Sequence, residues 1–188
     1  VTTAQLDRWA EEYIRSVPGA EPAFKGLYGF PATLCTSVNE EVVHGIPCDR
    51  RVLREGDIIS IDVGVKLDGY YGDAAATFPV GQVSPEAARL LETTRRALEA
   101  GIAVARPGAQ IGDISAAIQE TAEAAGYRVV RELVGHGIGT RPHEEPQVPN
   151  YGRRGHGLRL RPGLVLAIEP MFNAGSEEIR TLDDQWTI

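Results

Sequence analysis

Two carboxylates stand where the residues around them call for none. Asp62 lies inside Asp57 to Val65, a nearly continuous apolar run rich in β-branched residues that predicts a buried strand, and Glu169 closes a second such run, Leu164 to Ile168. A carboxylate buried without a partner costs several kcal/mol or is forced to take up a proton. Register adds a third acid. If Asp68-Gly69 form the two-residue loop of a hairpin, Asp62 opposes Ala75, and Asp73 lies one diagonal step away on the same face. Any even-numbered loop leaves the two acids on one side. Two converging carboxylates with no base near them in sequence call for a cation. Pairing of Asp62 with an arginine such as Arg54 is the alternative.

The remaining donors follow from chemistry. His136 sits between Gly135 and Gly137, where backbone and ligand can approach closely, and a neutral imidazole is the commonest nitrogen donor to a transition metal. Three carboxylates and one imidazole make an oxygen-rich mixed set. It suits Mn, Fe or Co, tolerates Zn, and is too poor in soft donors for Cu(I) or an iron-sulfur cluster. A carboxylate can bridge two metals, and two ions roughly 3.5 to 4 Å apart would hold a hydroxide made from water whose pKa falls to about 7. That is a hydrolase arrangement. Other motifs fall away: His143-Glu144-Glu145-Pro146-Gln147 is not HExxH, no GxxxxGK[ST], GxSxG or CxxC occurs, and Gly135 to Gly139 lacks the helix of a dinucleotide fingerprint.

The elements that must position these residues can be read in order. Leu6, Trp9, Tyr13, Ile14 and Val17 recur at helical spacing after Thr2 or Thr3 as N-cap, predicting an amphipathic helix over 3–17. Thr33 to Val43 leans toward strand, and the Asp57 to Val65 strand returns through Asp68-Gly69 into Tyr70 to Val80. Ser84-Pro85-Glu86 opens a helix to about Val104, and Asp113 is the expected N-cap of a third, with Ile114, Ala117, Ile118 and Ala122 on one face and Gly126 as its stop. Val129 to Val134, Gln147-Val148, Leu164 to Met171 and Glu178 to Leu182 are the later strand candidates, and Gln185 to Ile188 is strand-like. Leu53 to Asp62 can be laid on Leu160 to Glu169, each copy preceded by His-Gly-Ile at His44 and at His136, a short repeat that suggests two related halves facing a shared site.

Composition sets the frame. At 188 residues, 43% hydrophobic and 24% charged, the chain is expected to form one folded domain over 1–188, and a net charge of −7 without a basic, aromatic-laced cluster speaks against a nucleic-acid groove. The apolar runs are far shorter than the roughly 20 residues a membrane helix needs, so no membrane span is expected. With no secretory signal, the cytoplasm is the expected location, and Cys35 and Cys48 read as free thiols.

Taken together, SVNEEVVHGIP at 37–47, the spaced Asp62 and Asp73, GHGIGTRPHEEPQVPNY at 135–151 and IEPMF at 168–172 resemble the type I methionine aminopeptidases, over nearly the whole chain. The resemblance implies an α+β pita-bread fold, two pseudo-symmetric halves around a dimetal site. It implies that Asp62 chelates one ion, Asp73 bridges both, and His136 and Glu169 hold the other, the two divalent ions being Co, Mn, Fe or Zn. His44 and His143 match the family's two non-ligand histidines, His143 polarising the scissile carbonyl and His44 contacting the substrate near its N-terminal end. Leu27, Phe30 and Trp186 fall where the family lines its methionine pocket. His156 has no motif around it and reads as an ordinary loop residue. Pro142 and Val43, each just before a motif histidine, depart from better-known members, where Val43 is often Cys. The family's fifth ligand, a second bridging Glu on a strand beyond Trp186, has no match here, since Glu177 and Glu178 come too early. With Val1 as first residue, the chain is expected to be a catalytic domain truncated at both ends.

The implied activity is metal-dependent removal of Met from the N-termini of nascent polypeptides by a monomer, with ribosomal contact as a further expectation. Proline-specific aminopeptidases of the same fold are a lesser alternative. The main alternative, from another class, is a non-catalytic pita-bread binding module, or an inactive fragment, lacking the fifth ligand. Against it stands the retention of buried carboxylates that would cost stability without metal.

Overall fold

The computed structural model describes residues 1–188, which divide into two compact units. The first comprises Val1–Pro85, Gly139–Pro142 and Arg180–Ile188; the second comprises Glu86–Ile138 and His143–Ile179. No helix is long and apolar enough to cross a membrane.

In the first unit, α1 (Thr3–Ser16) starts at Thr2, whose side chain accepts the Gln5 N–H. Its expected apolar stripe is only partly buried. Ile14 is enclosed, whereas Trp9 and Tyr13 are exposed. Polar ties hold this helix instead: Asp7 Oδ1 accepts the backbone N–H groups of Thr33 (2.9 Å) and Leu34 (2.8 Å), and buried Thr3 exchanges two hydrogen bonds with the Cys48 backbone. A short β1 (Glu21–Pro22) precedes β2 (Leu34–Val38), which is buried throughout. The continuation of β2 to Val43 expected from sequence is a loop.

The hairpin of β3 (Ile58–Leu67) and β4 (Tyr70–Pro79) has the predicted register: Leu67 pairs with Tyr70, Asp62 with Ala75, and Gly64 with Asp73. The two-residue loop works because Asp68 and Gly69 both take positive φ, 51° and 84°, the conformation whose twist matches the strands. β4 occupies one edge of β3, while β1 and β2 lie in succession along the other.

In the second unit, α2 (Pro85–Val104) and α3 (Ile111–Ala124) enclose the main core with Tyr127, Val129, Val148, Leu160 and Phe172. Ile114, Ala117, Ile118 and Ala122 are buried, as the periodicity predicts. Gly101 makes the helix contact close, since a Cβ there would stand 3.3 Å from Ile114 and Ile118 side-chain carbons. The cap of α3 differs from expectation. Gln110 is the N-cap and Asp113 the third helical residue, its carboxylate reaching back to the Gln110 N–H at 2.7 Å in a capping box.

The later strands are shorter than the apolar runs suggest. They are β5 (Arg128–Val129), β6 (Gly135–Gly137), β7 (Glu144–Val148), β8 (Leu166–Ala167) and β9 (Phe172–Asn173), with β5 paired to β9 and β6 between β7 and β8. The expected Val129 to Val134 and Leu164 to Met171 strands are therefore broken, the latter beside Pro170, which has no N–H to give a ladder. Glu178 to Leu182 forms no strand. Gln185 to Ile188 forms no strand either: it follows a turn at Asp183 and Asp184, with Gln185 at φ 67°, although Ile188 exchanges backbone hydrogen bonds with Val43. The two copies of the sequence repeat thus differ, Asp62 lying within a ten-residue strand and Glu169 two residues beyond a two-residue one.

Candidate metal centre

The first unit brings Asp62 and Asp73 to one face of the β3–β4 hairpin, and Cys35 of β2 sits directly opposite Asp62 on that face. The buried Cys35 thiol reports on the field there. Its pKa is pushed far above the ordinary thiol value, by burial first and then by the negative charges of Asp62, Asp73 and Asp7. One oxygen of Asp62 is closed to solvent. Two half-buried carboxylates on one sheet face, one of whose oxygens is closed to solvent, are a donor set suited to a cation.

Cys35 also belongs to a second structure. With Phe24, Phe30 and Ala32 it forms a buried apolar cluster, against which Leu27, Ile46 and Trp186 pack. The Phe30 and Trp186 rings meet edge to face, centroids 5.1 Å apart at 73°. The three predicted pocket residues therefore fall in one cluster, and Cys35 joins it to the carboxylate face. Sequence reasoning missed this cysteine, which the register of β2 on β3 alone could have placed.

His44 lies on the loop following β2 with φ 59°, a left-handed conformation uncommon outside glycine. The loop is pinned from β2: the Thr36 N–H donates to the Gly45 carbonyl (2.8 Å), and buried Ser37 accepts the Gly45 N–H (3.1 Å). Gly45 has to be glycine, because a Cβ there would stand 2.2 Å from the Thr36 carbonyl oxygen.

The second unit assembles His136, His143 and Glu169. His136 lies at the centre of β6, opposite Gln147 of β7 and Ala167 of β8, with a register shift immediately after it. The glycines flanking His136 serve neighbouring strands, a correction to their reading as room for a ligand: Cβ atoms there would lie 2.3 Å from the Ala167 and Glu145 carbonyl oxygens. His136 Nδ1 lies 2.8 Å from the Gly137 carbonyl oxygen, which can only accept, so this nitrogen carries a proton. In the neutral ring Nε2 then presents its lone pair to Glu169 Oε1, 3.1 Å away. Two ligand atoms each about 2.1 Å from one ion at a near-right angle lie about 3 Å apart, so the pair has the spacing of adjacent metal ligands. The His143 ring stands edge to face with His136, centroids 4.5 Å apart. Glu177 is engaged by Arg131 at 2.8 Å. His156 lies on an exposed loop whose carbonyl accepts the Gly112 N–H.

With carboxylates on one unit and an imidazole and carboxylate on the other, the chain carries the donors of a metal-dependent hydrolase. It belongs to metallopeptidase family M24, whose model matches residues 1–186. Its fold is the α+β pita-bread fold of that family. It is 54% identical over all 188 residues to the methionine aminopeptidase of Clostridium acetobutylicum and 53% identical to methionine aminopeptidase 1 of Bacillus subtilis, in each case matching 75% of the relative. The crystal structure of methionine aminopeptidase from Thermotoga maritima superposes with a TM-score of 0.97 at 45% identity, covering 99% of this chain and 74% of that one.

Proposed function

We propose that this chain is the catalytic domain of a methionine aminopeptidase that removes the N-terminal Met of nascent polypeptides in the cytoplasm. The observation that supports the reading is Cys35, which belongs to the apolar cluster of Phe24, Phe30 and Ala32, against which Leu27 and Trp186 pack, and which pairs across the sheet with Asp62. A long, polarizable thioether side chain fits a pocket walled by Phe30, Leu27 and Trp186. An exopeptidase needs this adjacency, because the side chain it recognises belongs to the residue whose carbonyl is attacked.

Asp62, Asp73, His136 and Glu169 are the residues that would hold two divalent ions, with Mn, Co, Fe or Zn all compatible with the donors. Such ions supply a Lewis acid for the scissile carbonyl and lower the pKa of water. Nδ1 of His136, anchored on Gly137, sets the tautomer in which Nε2 would be the ligating atom. Glu169 Oε1, 3.1 Å from that nitrogen, would be the neighbouring ligand of the same ion. His143 is exposed enough to meet a peptide, and its proton would donate to the carbonyl oxygen as charge develops there. His44, held at positive φ, would contact the amino-terminal residue of the substrate. The nascent chain is the macromolecular partner; a monomeric enzyme acting near the ribosomal exit fits this substrate.

The test is hydrolysis of Met-Ala-Ser by the Mn- or Co-supplied protein beside an Ala-Pro peptide. Release of Met with the Xaa-Pro bond left intact is the expected result. Preference for Ala-Pro would assign the proline-specific activity, and cleavage of neither would favour a binding module.

A further inference from the structure

We infer that Asp184 is a positioning residue that sets both the methionine pocket and the His44 loop, an inference that rests on the aminopeptidase reading above. Residues 182–187 close a small loop: Gln185 N donates to the Leu182 carbonyl (3.0 Å) and Leu182 N to the Thr187 carbonyl (2.7 Å). Its centre is a carboxylate. Asp184 Oδ1 accepts the N–H groups of Trp186 (2.9 Å) and Thr187 (2.8 Å), and Oδ2 accepts the hydroxyl of buried Thr187. These bonds hold the Asp184 carboxyl below the usual carboxylate range, the Thr187 hydroxyl contributing most. The turn also carries Gln185 at φ 67°, a conformation that needs support from its surroundings.

Two outputs leave this turn. Trp186 is delivered edge-on to Phe30 as a wall of the apolar cluster. Two residues on, Ile188 exchanges backbone hydrogen bonds with Val43, its N–H donating at 3.1 Å and its carbonyl accepting from Val43 (3.4 Å) and Val42 (2.6 Å). Val43 immediately precedes His44. One exposed carboxylate, touching neither substrate nor reacting atoms, therefore fixes the relation between the pocket wall and the histidine that meets the substrate's first residue. Asp184 acts on side-chain recognition more than on the chemical step.

The experiment uses Asp184→Ala, Asp184→Asn and Thr187→Val in the otherwise intact protein. Each is also made with Trp9→Phe, which removes the only other tryptophan. The readouts are the kcat/KM ratio for Met-Ala-Ser over Ala-Ala-Ser and the emission and iodide quenching of Trp186. Displacing a recognition wall by a fraction of an ångström or more costs on the order of 10-fold, so Asp184→Ala is expected to lower the ratio by about 10-fold, mainly through KM, with red-shifted, more quenchable emission. Asp184→Asn keeps an acceptor for both N–H groups and can turn its amide toward the Thr187 hydroxyl, so it restores both readouts. Wild-type ratio and emission in Asp184→Ala would overturn the proposal, and so would equal impairment of the Asn variant. Should Asp184→Ala prove unfolded by circular dichroism, Thr187→Val decides: a smaller shift in both readouts supports the proposal, and unchanged values overturn it. If the unsubstituted protein released no Met, that would count against the aminopeptidase reading, while the Trp186 measurements would still decide the role of Asp184.

Discussion

His136 Nε2 faces Glu169 Oε1 across 3.1 Å while its other nitrogen is committed to the Gly137 carbonyl. The spacing is that of adjacent metal ligands, and several outcomes follow from it and from the elements that support it.

Removing either partner should uncouple metal binding from folding. His136→Ala or Glu169→Gln is expected to weaken Mn binding by more than the roughly 10- to 100-fold typical of losing an outer-shell partner, with the far-ultraviolet circular dichroism unchanged. Isothermal titration with Mn checks it; unchanged affinity would remove both from the ligand set.

Gly45→Ala should reach His44 without touching it. The added Cβ would meet the Thr36 carbonyl oxygen at 2.2 Å, so the loop must shift, at a cost of about 1–3 kcal/mol in stability for the overpacking. A fall of about 10-fold or more in kcat/KM is expected as His44 is displaced. Urea unfolding and peptide hydrolysis together check both parts.

Asp7→Ala tests how α1 is fastened. The backbone N–H groups of Thr33 and Leu34 lose their shared acceptor, at about 1–3 kcal/mol for each one left unpaired. A lowered urea midpoint with unchanged slope is the expected signature.

The capping box of α3 carries a pH dependence. The Asp113 carboxyl is held below its ordinary value of 3.8 by the Gln110 and then the Gly155 N–H groups. A depressed folded-state pKa contributes stability that is present above the unfolded value and lost as pH falls through the folded one. Asp113→Asn should therefore flatten the decline of the urea midpoint below about pH 4, leaving its shape near neutrality unchanged. An identical acid limb in both proteins would contradict this.

Much of the first unit was legible because its signals are local. Asp68-Gly69 dictates the turn, the turn dictates the register, and the register places Asp62 and Asp73 on one face. The proposed ligand and pocket residues rest on motifs rather than on periodicity. What could not be read depends on distant partners. Trp9 and Tyr13 look like core on helical spacing, yet the helix is fastened by Asp7 and Thr3 to residues far along the chain. The strands after Val129 were overextended because apolar runs do not reveal how short their partners are. Asp113 was misplaced by three positions because Gln110, a weak N-cap by type, succeeds only through the reciprocal bond from Asp113 itself.

The most direct measurement strips the protein with EDTA, re-supplies Mn or Co, and follows free Met from Met-Ala-Ser alongside the N-acetylated peptide. The account predicts Met release that is absent after stripping, returns with metal, and requires a free α-amino group. No release above the stripped control, or equal cleavage of the acetylated peptide, would contradict it.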